Sequence, residues 1–166
     1  MTSRVMDRVT RAGHHGPMFN PPETSMSLIA SLTSAQGLRR VLWADVASGA
    51  AMAALHLALP ETLGEWLGLP AGLLSASGAL VLPFVLLAAA LAMQSPPNRL
   101  ALGLLVLGNM AWVAASLWLL LAGPLAPTGL GQAYIGTQAL AVFVLAELQW
   151  MGGRRLGAAL RAAPAH

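Results

Sequence analysis

Four long apolar runs, each bounded by turn residues or charges, constrain the fold of this chain more than any other feature of its sequence. They span approximately residues 41–59, 74–93, 100–121 and 130–150. An α-helix rises about 1.5 Å per residue, so about 20 residues cross a hydrocarbon core of about 30 Å. The sequence therefore predicts an all-α, polytopic membrane protein whose four transmembrane helices form a bundle within residues 38–155.

The scarcity of charged residues supports this class. Only 9% of the 166 residues are charged and 57% are hydrophobic, whereas a soluble domain has about 25% charged residues. The nine basic residues are all arginines, and they form no dense basic stripe with interleaved aromatic residues. Nucleic acid is therefore not expected as a partner. The absence of cysteine excludes disulfides, thiolate metal sites and a cysteine nucleophile.

The placement of the arginines predicts the orientation in the membrane. Five arginines precede the first run (Arg4, Arg8, Arg11, Arg39 and Arg40), and one, Arg99, lies between the second and third runs. The other three follow the fourth run (Arg154, Arg155 and Arg161). Neither of the other two loops contains an arginine. The positive-inside rule makes the arginine-bearing side cytoplasmic. We therefore expect a multi-pass protein of the bacterial inner membrane with both termini in the cytoplasm.

Two terminal segments are predicted to be cytoplasmic tails. Residues 1–37 contain Gly16-Pro17 and Pro21-Pro22 and no apolar stretch of signal-peptide length. They predict a flexible N-terminal tail, and Met26 offers an alternative start within it. Gly152-Gly153 followed by two arginines predicts the end of the fourth helix, which leaves residues 156–166 as the C-terminal tail.

The segment between Pro60 and Pro70 predicts a short helix at the outer membrane interface. Leu63, Trp66 and Leu67 follow an i, i+3, i+4 spacing, and Glu61 and Glu65 lie on the other side. This pattern would place the Trp66 ring at headgroup depth. A plain loop is the alternative interpretation.

Asp45 and His56 are the ionisable residues of the first span. They are eleven residues apart, so they share a helix face within about 20° but differ in depth by about 16 Å. The two could mark the ends of one polar face. Otherwise Asp45 would pair with Arg39, Arg40 or Arg99 at the interface, and His56 would be a satisfied packing histidine.

Asn109 and Gln138 lie near the middle of the third and fourth spans. Their similar depth predicts an interhelical hydrogen bond that joins these two helices. Trp112 follows Asn109 on the same face. A contact of these groups with a polar substrate or a quinone is the alternative.

Glu147 lies one turn from the predicted cytoplasmic end of the fourth span. Arg154 and Arg155 are within reach, so a surface salt bridge is expected there. Glu147 and Gln138 are nine residues apart and therefore on opposite faces of the helix. At least one of them is expected to contact another helix or another subunit.

The chain contains no catalytic motif, neither GxSxG, a Walker loop, HExxH nor a dinucleotide fingerprint. Neither a metal nor a cofactor is expected, and the single histidine within the spans argues against bis-histidine haem. No residue is assigned a catalytic role. The candidate functional or packing residues are Asp45, His56, Asn109, Trp112, Gln138 and Glu147.

Several short motifs carry a family resemblance. Leu67-Gly68-Leu69-Pro70 after the first span resembles the loop pattern of DoxX-like four-helix membrane proteins. Three further motifs are similar to those in a group of bacterial four-helix membrane proteins, namely Gly108-Asn109-Met110-Ala111-Trp112, Pro127-Thr128-Gly129-Leu130-Gly131 and Ala146-Glu147-Leu148-Gln149-Trp150. The resemblance covers about residues 38–155. It implies an accessory role in a membrane redox complex, near the quinone pool.

Two functional hypotheses follow. The first is a non-enzymatic accessory or assembly subunit of the inner membrane, attached to a redox complex, with the lipid bilayer and other membrane subunits as partners. The second is a small proton- or cation-coupled transporter or channel that works by self-association, with Asp45 or Glu147 as the binding group.

The arginine distribution generates a topology test. We expect reporters fused after Arg99 and at the C-terminus to report a cytoplasmic location, and reporters near Glu65 and Pro124 to report a periplasmic one. The physical reason is the positive-inside rule. A periplasmic C-terminus in a paired phosphatase and fluorescence fusion assay would overturn the four-span topology.

Overall fold

The computed structural model describes residues 34–162, and within that range it is all-helical. The helices are α1 (Ala35–Ala58), α2 (Pro60–Leu67), α3 (Ala71–Met93), α4 (Arg99–Leu121) and α5 (Gly129–Ala162). All except α2 are long and apolar enough to cross a membrane, which confirms the predicted class of four spanning helices. Most of the predicted N-terminal tail, including Met26, and residues 163–166 lie outside the described range.

Side-chain caps define the starts of three spanning helices. The Gly37 N–H donates to Ser34 Oγ over 3.0 Å, and the Ala101 N–H donates to Asn98 Oδ1 over 3.1 Å. At α5 the Gly131 N–H donates to Thr128 Oγ1 over 3.1 Å. Each cap satisfies one of the N–H groups that have no partner in the first turn of a helix.

The predicted short helix between the first two spans is present as α2. Pro60 occupies its first turn, where the missing N–H of proline costs nothing. Leu63 and Leu67 are buried, whereas Trp66 is 61% exposed. The helix therefore lies over the end of the bundle with an apolar face inward, as the spacing of its leucines indicates.

Helix α5 is longer than predicted, because it continues through Gly152-Gly153 to Ala162. The interpretation of this glycine pair as a helix end is therefore wrong. An added Cβ at Gly152 would lie 3.0 Å from Leu38 Cδ1, and one at Gly153 would lie 2.8 Å from Leu102 Cδ2. The two glycines thus allow α5 to approach α1 and α4 closely, and the helix continues past them.

The spanning helices pack mainly as two pairs, α1 with α3 and α4 with α5, and α3 contacts α4 much less. A first core joins the starts of α1 and α4 to the end of α3 and consists of Leu38, Leu42, Ala88, Leu91, Ala92, Leu102 and Leu105. A second core beneath α2 consists of Leu63, Leu67, Leu69, Leu74 and Ile135. The bundle is thus closed by apolar packing at both ends.

The outer surface of the bundle is apolar. Large hydrophobic side chains on α3, α4 and α5 are more than half exposed, among them Leu80, Leu86, Leu100, Leu107, Leu121 and Leu140, and on α1 Trp43, Leu55 and Leu57 are 43 to 44% exposed. Such a surface suits contact with lipid rather than water.

One end of the bundle carries the described arginines. The Arg99 guanidinium at the start of α4 lies against Gly157 near the end of α5, and Leu38 at the start of α1 lies against Gly152. Arg39, Arg40, Arg154, Arg155 and Arg161 therefore belong to the same end, and α2 lies at the opposite one. The cytoplasmic assignment of the arginine end follows from the positive-inside rule and stays a prediction.

Thr128 generates a test of how the α2 end is held. Its hydroxyl donates to the Trp66 carbonyl over 2.7 Å and caps α5, and its N–H donates to the Leu67 carbonyl over 3.0 Å. Thr128→Val keeps the shape of the side chain but removes the hydroxyl's hydrogen bonds to the Trp66 carbonyl and the Gly131 N–H. We therefore expect the free energy of unfolding to fall by about 1 to 3 kcal/mol. Thermal unfolding in detergent measures it.

The control for this test is Thr128→Ser, which retains the hydroxyl and should unfold close to the wild-type temperature. Equal destabilisation by serine and valine would show that the threonine methyl group, and not its hydroxyl, holds the loop.

Candidate functional site

A polar cluster joins three helices inside the bundle. Gln149 Nε2 donates to Asp45 Oδ2 over 2.7 Å, and Asn109 Nδ2 donates to the same oxygen over 3.1 Å. Asn109 Nδ2 also lies 3.2 Å from Gln149 Oε1. Gln149 is fully buried, Asn109 is 8% exposed, and Asp45 is half-buried. We call Asp45, Asn109 and Gln149 the carboxylate cluster.

The partners of Asp45 are amides and not the predicted arginines. None of Arg39, Arg40 and Arg99, all within the described residues, forms an ion pair with Asp45. Arg99 lies ten residues before Asn109, which places it about 15 Å further towards the end of the bundle. The carboxylate is thus held by two neutral donors and has no cationic partner among these three residues.

The predicted hydrogen bond between Asn109 and Gln138 is wrong, and the register of the helices explains why. Because Arg99 lies beside Gly157, Asn109 is level with residues about eight to ten positions before Gly157 in the antiparallel α5. Gln149 occupies that level, whereas Gln138 lies three turns further along the same face.

A second polar cluster surrounds His56 near the other end. The imidazole is 4% exposed, with Nδ1 2.8 Å from Ser77 Oγ and Nε2 2.8 Å from the Tyr134 hydroxyl. Ser77 donates its own proton to the Leu74 carbonyl over 2.8 Å, so its oxygen accepts from Nδ1–H. Neutral His56 then accepts at Nε2 from Tyr134. Both ring nitrogens are therefore engaged in joining α1 to α3 and α5.

The close approach of α1 and α3 at this cluster depends on Gly78. An added Cβ at Gly78 would lie 2.9 Å from His56 Cβ and 3.3 Å from the Ala53 carbonyl. Residue 78 must therefore lack a side chain for His56 to reach Ser77. We call His56, Ser77 and Tyr134 the histidine cluster.

A cavity of about 710 Å³ connects the two clusters. Asp45 and Asn109 line one end, and His56, Ser77 and Tyr134 line the other. Between them the wall is apolar and aromatic, and it includes Met52, Phe84, Trp112, Trp118 and Leu119. Asp45 and His56 thus lie at the two ends of one cavity, whose wall between them is mainly apolar.

The cavity is open between α3 and α4. Residues of both helices that line it are largely exposed, including Leu80 at 60% and Trp118 at 59%, and these two helices contact each other much less than the two main pairs do. The first core closes the cavity towards the arginine end, and the second core closes it towards α2. Its mouth therefore faces the region that lipid occupies.

Trp112 presents an unpartnered donor at this cavity. Its Nε1 atom is buried and has no hydrogen-bond partner in the described structure. A buried N–H without an acceptor costs about 1 to 3 kcal/mol. The indole is therefore a group that an acceptor atom in the cavity would stabilise.

The remaining predicted candidates separate into two sets. Gln138 lines the cavity and adjoins Tyr134, whereas Glu147 is half-buried and does not line it. Arg154 lies 5.0 Å above the Trp150 ring and does not pair with Glu147. The salt bridge predicted between Glu147 and Arg155 stays a prediction.

Sequence reasoning missed Ser77, Tyr134 and Gln149. Gln149 is eleven residues from Gln138, so helical spacing already places both on one face. Tyr134 is the only tyrosine of the chain and precedes Gln138 by one turn. No pattern in the sequence singles out Ser77 among the small residues of its span.

The four long apolar helices place the chain in the class of multi-pass helical membrane proteins. No protein-family model, curated protein or solved structure matches the chain.

The carboxylate cluster generates a stability test. Asp45→Asn retains an acceptor oxygen for both amides, so we expect its stability to stay within about 1 kcal/mol of the wild type. Asp45→Leu leaves the Asn109 and Gln149 amides buried without their acceptor, and we expect a loss of about 2 to 4 kcal/mol. Thermal unfolding in detergent compares the two.

An equal loss in both variants would show that the negative charge, and not the acceptor oxygen, stabilises the junction. An Asp45→Leu variant as stable as the wild type would remove the cluster from the interactions that hold the bundle together.

Proposed function

We propose that this protein is a non-enzymatic accessory or assembly subunit of the inner membrane that binds a small lipophilic molecule in its cavity. The observation that carries the proposal is the cavity of about 710 Å³ between the spanning helices, with a polar cluster at each end. Ligand pockets typically have volumes of about 300 to 1,000 Å³, apolar walls and a few polar groups that orient the ligand.

The wall of the cavity indicates the chemistry of the ligand. Phe84, Trp112 and Trp118 offer aromatic surface, and the buried Trp112 N–H lacks an acceptor. A ligand with a flat apolar ring and a carbonyl oxygen would stack on the wall and satisfy this donor. Quinones have this chemistry.

The opening between α3 and α4 provides a route from the bilayer. A lipophilic molecule dissolved among the lipid chains can enter there without passing through water. Charged or strongly polar solutes would have to cross the hydrocarbon first, so the opening favours lipid-soluble ligands.

An accessory role is supported by how the polar groups are used. Both nitrogens of His56 are engaged in helix–helix hydrogen bonds, and Asp45 accepts two amides. These bonds fix the walls of a binding site rather than prepare a base or a nucleophile. The resemblance to DoxX-like proteins makes a membrane redox complex the proposed partner.

Proton- or cation-coupled transport is the second candidate, and Asp45 favours it. This carboxylate lines the cavity, and both of its amide donors use Oδ2. A carboxylate in a membrane without a cationic partner is a candidate for protonation or cation binding. If Asp45→Asn inserted normally yet reproduced the full phenotype of a deletion strain, transport would replace the accessory proposal.

Ligand binding is tested with a short-chain benzoquinone as the probe. We expect saturable quenching of tryptophan fluorescence in the purified protein. Trp112→Phe keeps the ring but removes the donor, so the probe affinity should fall about fivefold to tenfold, the equivalent of one hydrogen bond. Affinity is followed in that variant through the quenching of Trp118, which also lines the cavity.

Two alanines of α4 provide matched variants. Ala115 lines the cavity and Ala114 does not, although both are exposed. Ala115→Phe should block the site and abolish saturable quenching, whereas Ala114→Phe should bind as the wild type does. Identical, non-saturable quenching in all variants would contradict binding in the cavity.

A further inference from the structure

A smaller pocket lies outside the cavity, at the arginine end of the bundle. It has a volume of about 160 Å³ and lies between α4 and α5. Its wall combines two arginines with small and aromatic residues, namely Arg99, Leu102, Gly103, Val106, Gln149, Trp150, Gly153 and Arg154. We call it the arginine pocket.

The two guanidinium groups of this pocket are positioned by different contacts. Arg154 lies 5.0 Å above the Trp150 ring, in a cation–π arrangement. The Arg99 side chain crosses from α4 to α5, where it occupies the space that a side chain at Gly157 would fill. Both side chains line the same pocket, the Arg99 guanidinium beside Gly157 and the Arg154 guanidinium over Trp150, two turns earlier on α5.

Neither cation is neutralised by the described part of the chain. Within residues 34–162 the acidic side chains are Asp45, Glu61, Glu65 and Glu147, and none of them forms an ion pair with Arg99 or Arg154. Two cations that line one pocket and have no acidic partner create a positive potential there, which favours an anion in the pocket. Planar guanidinium groups bind phosphate oxygens in a bidentate geometry.

We propose that the arginine pocket binds a phosphate group, supplied by an anionic phospholipid headgroup or by free phosphate. The pocket lies at the end of the spanning helices, where lipid headgroups are found, and basic pockets between helices at this depth suit such groups. Trp150 is 49% exposed beside it, in a position to pack against the glycerol or upper acyl region of a lipid.

Native mass spectrometry of the delipidated protein in neutral detergent tests the proposal. Phosphatidylglycerol and phosphatidylcholine are added in separate titrations. We expect phosphatidylglycerol to bind about tenfold or more tightly than phosphatidylcholine. Each arginine near a membrane surface contributes roughly a fivefold gain in affinity for an anionic lipid, so R99Q/R154Q should weaken phosphatidylglycerol binding about 25-fold.

Two further variants separate the pocket from general charge effects. R161Q removes an arginine from α5 that does not line the pocket and should change binding by less than about twofold. G103L changes no charge. A side chain there meets no atom within 4 Å, so leucine would extend into the pocket and should abolish the selectivity for phosphatidylglycerol.

The source of the phosphate is decided by competition. If inorganic phosphate at millimolar concentration displaces phosphatidylglycerol, and calorimetry of the wild type shows phosphate binding that G103L lacks, free phosphate is the ligand. If phosphate does not compete, the lipid headgroup is the ligand. Equal weakening by R161Q and R99Q/R154Q, or normal selectivity in G103L, would overturn the proposal. Because G103L leaves the cavity unchanged, this result is independent of benzoquinone binding.

Discussion

A carboxylate inside a membrane must have hydrogen-bond donors, a proton or a cation, because leaving it unpaired in hydrocarbon costs several kcal/mol. In this protein the donors for Asp45 come from Asn109 on α4 and Gln149 on α5. The carboxylate therefore fixes the relative height of three helices, which apolar side chains alone would allow to slide. The histidine cluster fixes α1 against α3 and α5 in the same way, and the space between the two clusters becomes the cavity.

The four spans and the short helix α2 were predictable because a bilayer permits very few backbone structures. A run of about 20 apolar residues has few alternatives to a spanning helix. The end of α5 was not predictable by the same reasoning. A Gly-Gly pair is typical of the end of a helix. Here the missing side chains of Gly152 and Gly153 instead allow α5 to pack closely against Leu38 and Leu102. A single sequence does not distinguish a glycine that ends a helix from one that admits a neighbour.

The sequence predicted which residues belong to the site better than it predicted the hydrogen-bond partners of those residues. Helical periodicity placed Asp45 with His56, and Asn109 with Trp112, and these four residues line one cavity. The partners across helices depend on register, which the sequence does not contain. The predicted partner of Asn109, Gln138, was therefore wrong. Gln149 was overlooked because the predicted fourth span ended next to it. Trp112 could be recognised as a candidate, but only the packed structure reveals that its N–H is buried without an acceptor.

The position of the cavity along the helices has one more consequence. Its walls come from the part of α3 that follows α2 and from the second half of α4, and the first core fills the bundle on the arginine side. The mouth between α3 and α4 thus opens into a single leaflet, the one opposite the arginines. A molecule in the other leaflet would have to flip across the bilayer before it could enter. Occupancy of the cavity by a lipid-soluble ligand would therefore follow the concentration of that ligand in one monolayer.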